Sequence, residues 1–447
     1  MSLALFCVSL DFFALNLALP DMAADLHVTA GGLQWALSGY MLASGALMTA
    51  AGRLGDLFGH RRLLILGVGL FGASSLMCGF SGSAAELVAF RVLQGAGLAF
   101  VMPVGVALLT RVFDADRRAK ATGFAFGVAG IGLVLGPFAG GLLTQTVGWR
   151  WVFWLNVPFA VASVALAARV RLERDPSASR AVDWPGLVTV TAAIGALTVA
   201  LDRGQAWGWG SGRTLGLFAA GVALLAVFVA VESRAARPLV ELSLFRDRMF
   251  VIVTAGGAVA GAAASVYLFG AGLYLQEVRH LAPGAAGLVL LVPAAATAAA
   301  GPVAGRLGKA APLMVMATAA AVGGVAVLGL GLTSWLPLYV VLLAVCGGAL
   351  KLSNTFTMIA TQGVVRPERA GEASGVTLTA IVTAGGVGIA LAGSALGRGS
   401  VTAGSVRETL VVTAAICLVS AGVLVAARLR QKRAVEPERA RESVAAA

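Results

Sequence analysis

Asp11 stands midway along a mostly apolar run of twenty residues, with Asn16 five positions further on. A carboxylate surrounded by hydrocarbon favours its protonated form, and a guanidinium brought beside it favours the ionised one. A group held between those pulls can take up a proton and release it. An intramembrane acid is therefore a functional candidate by default. Arg91, followed by Gln94, lies in another apolar run. An arginine at the centre of a membrane helix costs about 2.5–3.5 kcal/mol on insertion scales, so it needs a partner, a wet cavity or a route to the surface. Lys351 is buried in sequence in the same way, with Asn354 close behind. It faces a cavity and holds an anionic group, or it reaches Asn354 and does nothing else. No comparable acid lies within the apolar runs between Glu277 and Glu372, which argues against a site for dications. Gln34, Trp35, Tyr40 and Gln276 are polar or aromatic residues fit for a cavity wall or for interfacial anchoring.

Enzymatic chemistry finds no support in these residues. No nucleophile–base pair is spelled out, and the three histidines (His27, His60, His280) are scattered. Cys7, Cys78, Cys346 and Cys417 sit far apart inside apolar runs, where small packing residues are expected. No metal and no cofactor is implied.

The elements that must position these side chains are membrane spans. Of 447 residues, 59% are hydrophobic and only 12% are charged, about half the share of a soluble domain. The net charge of +12 suggests nucleic acid, but the basic residues form short clusters between apolar runs rather than a stripe. A span needs about 20 apolar residues. Such runs fall near 1–20, 33–52, 63–80, 85–110, 120–146, 151–168, 185–201, 214–231, 250–276, 285–305, 312–331, 336–361, 372–397 and 409–427, fourteen in all. If they alternate, 25 Lys and Arg lie in the loops and tail on one side and six on the other. Positive loops stay cytoplasmic, so both termini are expected inside. The first run has no basic leader and no small-residue cleavage site, and reads as a retained helix rather than a signal peptide.

Two short words recur at nearly one offset. Ala51-Gly52-Arg53-Leu54-Gly55 returns as Ala304-Gly305-Arg306-Leu307-Gly308, and Ala121-Thr122-Gly123 as Ala373-Ser374-Gly375. Both offsets equal eight spans. A six-helix unit duplicated around two inserted helices explains them, a build used by transporters that rock one half against the other. The expected organisation is a bundle over 1–168, linkers and two inserted helices over 169–248, a second bundle over 249–427, and a cytoplasmic tail over 428–447.

Two strings have their own physical logic. Gly52-Arg53-Leu54-Gly55-Asp56-Leu57-Phe58-Gly59-His60-Arg61-Arg62 fills the short reversal between runs two and three. Its Asp56 can pair with nearby arginines or cap a neighbouring helix. Gly132, Gly136 and Gly140, with Gly141, make a flat helix face, and Pro137 bends the helix.

The first string resembles the cytoplasmic loop of the major facilitator superfamily, G-x-L-a-D-r-x-G-r-[KR]-[KR]. The resemblance implies a cytoplasmic gate built on Gly52, Arg53, Asp56, Gly59, Arg61 and Arg62, although Lys309 replaces the acid in the second copy. The glycine–proline string is similar to that superfamily's antiporter motif, which importers generally lack. Arg91-Val92-Leu93-Gln94-Gly95 resembles R-x-x-Q-G, associated there with proton coupling. Asp11 to Pro20 resembles the D-x-T-x-x-N-x-A-L-P signature of fourteen-helix drug:proton antiporters, with Phe13 for the usual threonine. Trp149 to Pro158 matches the same branch's W-R-W-x-F-x-x-N-x-P.

The expectation is an all-α polytopic protein of the bacterial inner membrane, made of two six-helix bundles plus two inserted helices. Asp11 carries the proton, tuned by Arg91 and Gln94. A small amphipathic molecule is exported from a cavity lined by Asn16, Gln34, Tyr40, Gln276, Lys351 and Asn354. The partners are that substrate, protons and lipid, with no nucleic acid, and the protein works as a monomer. The rivals are a proton-coupled importer on the same fold and a non-transporting sensor.

Overall fold

The computed structural model describes residues 1–29, 33–112, 115–169, 184–235, 242–307, 311–365, 370–396 and 401–445. Every regular element among them is helical. In lipid a backbone can satisfy its polar groups only internally, so each long apolar run closes its own hydrogen bonds. In chain order the helices are α1 (Ser2–Asp25), α2 (Trp35–Phe58), α3 (His60–Phe80), α4 (Ala84–Val112), α5 (Ala115–Thr146), α6 (Arg150–Trp154), α7 (Asn156–Arg169), α8 (Trp184–Trp207), α9 (Gly212–Glu232), α10 (Arg248–Leu273), α11 (Pro283–Arg306), α12 (Pro312–Leu332), α13 (Leu336–Val364), α14 (Ala370–Leu396) and α15 (Ala403–Ala445). A π-helical turn, Tyr274–Val278, extends α10.

Among the described residues, twelve stretches are long and apolar enough to cross a membrane, and α1 is a thirteenth if its two arms, bent by 44° between Asp11 and Ala14, form one span. The 24-residue α2 stands beside them.

Local sequence explains the joints. Gly59, at φ +93°, is all that separates α2 from α3, a conformation that a Cβ would strain. The run over 151–168 is broken at Leu155 into α6 and α7. Pro158 has no N–H to donate and its ring crowds the carbonyl four residues back, that of Trp154. Asp247 caps α10 by accepting from the Met249 and Phe250 amides at 2.7 and 3.3 Å. Past the last apolar run, α15 continues as helix to Ala445.

Helices α1 to α7 pack among themselves, as do α10 to α15, while α8 and α9 pair with each other and α8 rests on both α2 and α14. Only 18% and 17% of the apolar windows of α8 and α9 are buried, so most of their side chains face lipid. The two large groups meet along two seams, α2 against α14 and α5 against α11.

Both seams are closed at one end of the molecule, the end that carries Gly148. There Gln34 donates to the Ala390 carbonyl at 3.0 Å, and the Gly284 amide donates to Gln145 at 3.2 Å. A methyl added at Gly287 would lie 2.6 Å from the Pro137 carbonyl oxygen. Towards the Gly59 end the packing loosens. Gly130 has its nearest neighbour, Ala298, at 3.8 Å, and Gly127, Gly301, Gly363 and Gly375 meet nothing within 4 Å. Among the described residues the close contacts between the two groups thus lie towards the Gly148 end, which leaves the Gly59 end the less tightly packed.

Candidate functional site

The bend in α1 delivers Asp11 into the interior of the α1–α7 group. Its side chain and that of Arg91 from α4 are both fully buried, and Arg91 Nη1 donates to Asp11 Oδ2 at 2.7 Å. The same Nη1 donates to Gln94 Oε1 at 2.7 Å, and Gln94 Nε2 donates to Asp11 Oδ1 at 3.3 Å. Arg91 and Gln94 are one helical turn apart, which puts both on the α4 face towards α1. Arg91 Nε donates to the Ala36 carbonyl at 2.7 Å, tying α4 to α2.

Asn156, the first residue of α7, completes the shell. Its Nδ2 donates to Asp11 Oδ1 at 2.7 Å and reaches Ser75 Oγ at 3.1 Å, while Ser75 donates to the Phe153 carbonyl at 2.8 Å. Cys7 Sγ lies 3.4 Å from Asn156 Oδ1. A buried ion pair is tolerable only when further hydrogen bonds satisfy the remaining donors and acceptors. Here Asp11 accepts from three side chains on two other helices. Two groups at the same spot, Arg91 Nη2 and the Tyr40 hydroxyl, have no hydrogen-bond partner among the described residues.

The expected cavity residues part company. Tyr40 belongs to the ion-pair cluster instead, because the Arg91 guanidinium lies 4.1 Å from its ring centroid and the side chain is 1% exposed. Gln34 is a bolt across the α2–α14 seam rather than an open wall residue, since its amide meets the Ala390 carbonyl. Asn16 is buried where α1 meets α10, with its carbonyl 3.2 Å from a methyl placed on Gly272. Gln276 turns back onto its own helix and donates to the Gly272 carbonyl at 3.4 Å. Lys351 is exposed at mid-helix, and Asn354, one turn on, keeps Oδ1 buried and unpaired among the described residues.

The glycine–proline string is a seam, and each member faces something particular. Gly132 packs on the Phe6 backbone of α1, and a methyl at Gly140 would sit 2.5 Å from the Ala14 Cα and carbonyl oxygen. Gly141 packs on the Pro283 carbonyl of α11, and Pro137 presents its carbonyl to Gly287. Gly136 and Pro137 are buried between these contacts. One face of α5 therefore holds α1 and the neighbouring edge holds the other group of helices.

At the opposite end, Arg61 donates from Nε and a terminal nitrogen to the Ala167 and Ala168 carbonyls at 3.0 and 2.5 Å. It serves the C-terminal end of α7, where a cation is favoured, rather than the second half of the chain. Arg62 is exposed. The side chains of Gly52, Arg53 and Asp56 lie outside the described residues.

Sequence reasoning missed the part played by Asn156, Ser75 and Tyr40. A signal existed for Asn156, an amide in an apolar run within Trp149 to Pro158. That string now has a structural account. Arg150 donates to Asp25 at 2.8 Å and stacks on Trp149 at 4.3 Å, Phe153 supplies the carbonyl for Ser75, and Asn156 holds Asp11.

Two groups of apolar helices packed along two seams, with a fully buried ion pair inside one of them, have the architecture of a membrane transporter. The chain belongs to the Major Facilitator Superfamily, whose sequence profile matches residues 1–389 and again 253–446. Its members are transporters of small molecules and not enzymes. The chain is 36% identical over 406 residues to the tetracenomycin C resistance and export protein of Streptomyces glaucescens, covering 86% of this chain and 73% of that one. It is 32% identical over 406 residues to the multidrug resistance protein Stp of Mycobacterium tuberculosis, covering 88% and 74%. Among solved structures, the nucleoside transporter NupG superimposes with a TM-score of 0.66 at 12% identity, over 95% of this chain and 99% of that chain, a likeness of fold alone.

Proposed function

We propose that this chain is a proton-driven exporter of small amphipathic compounds, such as drugs, antibiotics or secondary metabolites, on the fourteen-helix drug:proton antiporter plan. The reading rests first on the fully buried Asp11–Arg91 pair at 2.7 Å. The resistance and export proteins it resembles support the direction of transport. Support for fourteen spans comes from the twelve apolar helices, the bent α1 and the helical α2. The halves are 1–168 and 249–427, with the linkers and the α8–α9 pair inserted over 169–248 and a tail over 428–447. The reciprocal seams agree with this division. The second helix of each half, α2 or α11, packs on the fifth helix of the other, α14 or α5.

The bias of basic residues to one set of loops supports a cytoplasmic Gly59 end, with both termini on the same side. The conformation described is then open to the cytoplasm and shut outside, ready to load substrate. Asp11 is ionised and held by Arg91, Gln94 and Asn156. A proton arriving from outside in the alternate conformation neutralises Asp11, which loosens Arg91 and lets the halves rock back. The proton then leaves to the cytoplasm as substrate is taken up. The buried, ionised pair described is the state left once that proton has gone, and exchange is obligatory because substrate loads only in that state. The protein acts as a monomer in the inner membrane.

Everted vesicles carrying the full chain test this. Acidifying the interior with respiration should drive accumulation of at least one dye from a panel that includes cationic ethidium and anionic fluorescein, and collapsing the gradient should release it. Asp11→Asn should abolish gradient-driven accumulation. Accumulation that ignores the gradient, or is intact in Asp11→Asn, overturns the coupling role.

A further inference from the structure

Lys351 has no part in the proton site, and its surroundings are unusual. It sits near the middle of the 29-residue α13. At 1.5 Å per residue it is about 20 Å from either helix end, too far for a lysine side chain to snorkel to a membrane surface. The side chain is nevertheless exposed. A charged side chain at mid-membrane depth is too costly to leave in lipid, so it faces a water-reachable space.

The helix faces say which space. Gly347, one turn before Lys351, packs on the Pro293 carbonyl and Thr297 Oγ1 of α11, and Gly348 has Ala296 at 3.7 Å. On the other flank, Thr361 shares a hydrogen bond with Thr377 of α14 at 3.2 Å. At about 100° per residue, Lys351 falls between Gly347 and Gly348 around the axis, on the side of α13 turned towards α11, and Asn354 falls between Gly347 and Thr361. Both α11 and α14 also form seams between the halves, so this side of α13 borders the less tightly packed region between them.

No carboxylate among the described residues pairs with Lys351, and Asn354 Oδ1 is buried there without a partner. Arg91, by contrast, is compensated by an acid, one amide and a carbonyl. An ammonium on the wall of a space at mid-membrane depth, with no counter-charge beside it among the described residues, is a group that an anion entering that space can pair with.

The geometry points to Lys351 as the residue that binds the acidic group of the exported molecule, a carboxylate or acidic phenolate on an otherwise apolar compound, with Asn354 as a neighbouring polar contact. This rests on the reading of the chain as an exporter and names its substrate class. Organic acids of this kind cross membranes in their neutral form and ionise in the cytoplasm, which is where the space opens.

The test is equilibrium binding to purified full-length protein, read by fluorescence anisotropy, with fluorescein as the anionic probe and ethidium as the cationic one. Fluorescein should bind the wild type and Lys351→Arg within about threefold of each other. Lys351→Gln should weaken it by about 10- to 100-fold, the range carried by a hydrogen bond to a charged group. Lys351→Glu should lose fluorescein and gain ethidium. Independently of any variant, benzoate should displace fluorescein from the wild type at lower concentration than neutral benzamide. Absence of fluorescein binding, unchanged affinity in Lys351→Gln, or equal displacement by the two competitors overturns the inference. The measurement needs no proton gradient. Lys351-dependent binding without gradient-driven transport would refute the exporter and keep the anion site, whereas gradient-driven transport with binding indifferent to Lys351 would do the reverse.

Discussion

Removing one member of the Asp11–Arg91 pair should damage the fold more than removing both. Two unit charges about 4 Å apart attract by about 4 kcal/mol at an effective dielectric of 20. In Asp11→Asn this attraction is lost, while Arg91 stays fully buried and keeps only its bonds to Ala36 and Gln94 and its contact with the Tyr40 ring. Breaking a buried pair in this way costs about 3–5 kcal/mol, because an uncompensated charge is left behind. Arg91→Met strands Asp11 in the same way, though Gln94 and Asn156 still donate to it. The double variant strands neither charge, and replacing a whole buried pair by neutral groups is often close to neutral. Thermal unfolding of all four proteins in the same detergent, followed by tryptophan fluorescence, gives the cycle. Each single variant should unfold earlier, and the double variant should recover most of the loss while lacking proton-driven transport. Losses in the double variant equal to the sum of the singles would refute the claim that the two groups act as one charge-compensated unit.

The other predictions concern the shell and the seam. Asn156→Ala removes the donor at 2.7 Å from Asp11 and the contact to Ser75, and should lower stability by about 1–3 kcal/mol in the same unfolding assay; an unchanged melting curve would show that water replaces the amide freely. Gly287→Ala places a methyl 2.6 Å from a backbone oxygen that has little room to move, and overpacking of this kind costs about 1–3 kcal/mol. The closed seam should then lose ground to the alternate conformation by roughly 5- to 150-fold. Spin labels at Val147→Cys and His280→Cys, read by pulsed dipolar spectroscopy, should report longer distances at the Gly148 end, and an unaltered distribution would remove that glycine from the seam.

Much of the helix layout was legible in the chain because lipid enforces a local rule. A run of about 20 apolar residues must be a helix whatever its neighbours do. Where local chemistry intervened, the run boundaries slipped. Pro158 split the sixth run, and α10 continued through a π-helical turn past its expected end. The candidate site was readable as residue types, because Asp11 and Arg91 are too costly in hydrocarbon to lack a purpose. Their destination was less readable. Tyr40 and Gln34 look alike as polar positions near the start of α2, yet one stacks on a guanidinium inside a half and the other bolts two halves together.

By itself, then, the sequence determined that the chain crosses a membrane many times and that an acid and an arginine must be compensated within it. Those conclusions follow from transfer energies, which depend on composition along a short window. Only the tertiary structure decided that the acid meets that arginine, that Asn156 joins them from 145 residues away, and that Lys351 meets no acid among the described residues. Pairing of charges depends on which helix faces meet, and helix rotation is set by packing over the whole bundle rather than by any window of the chain.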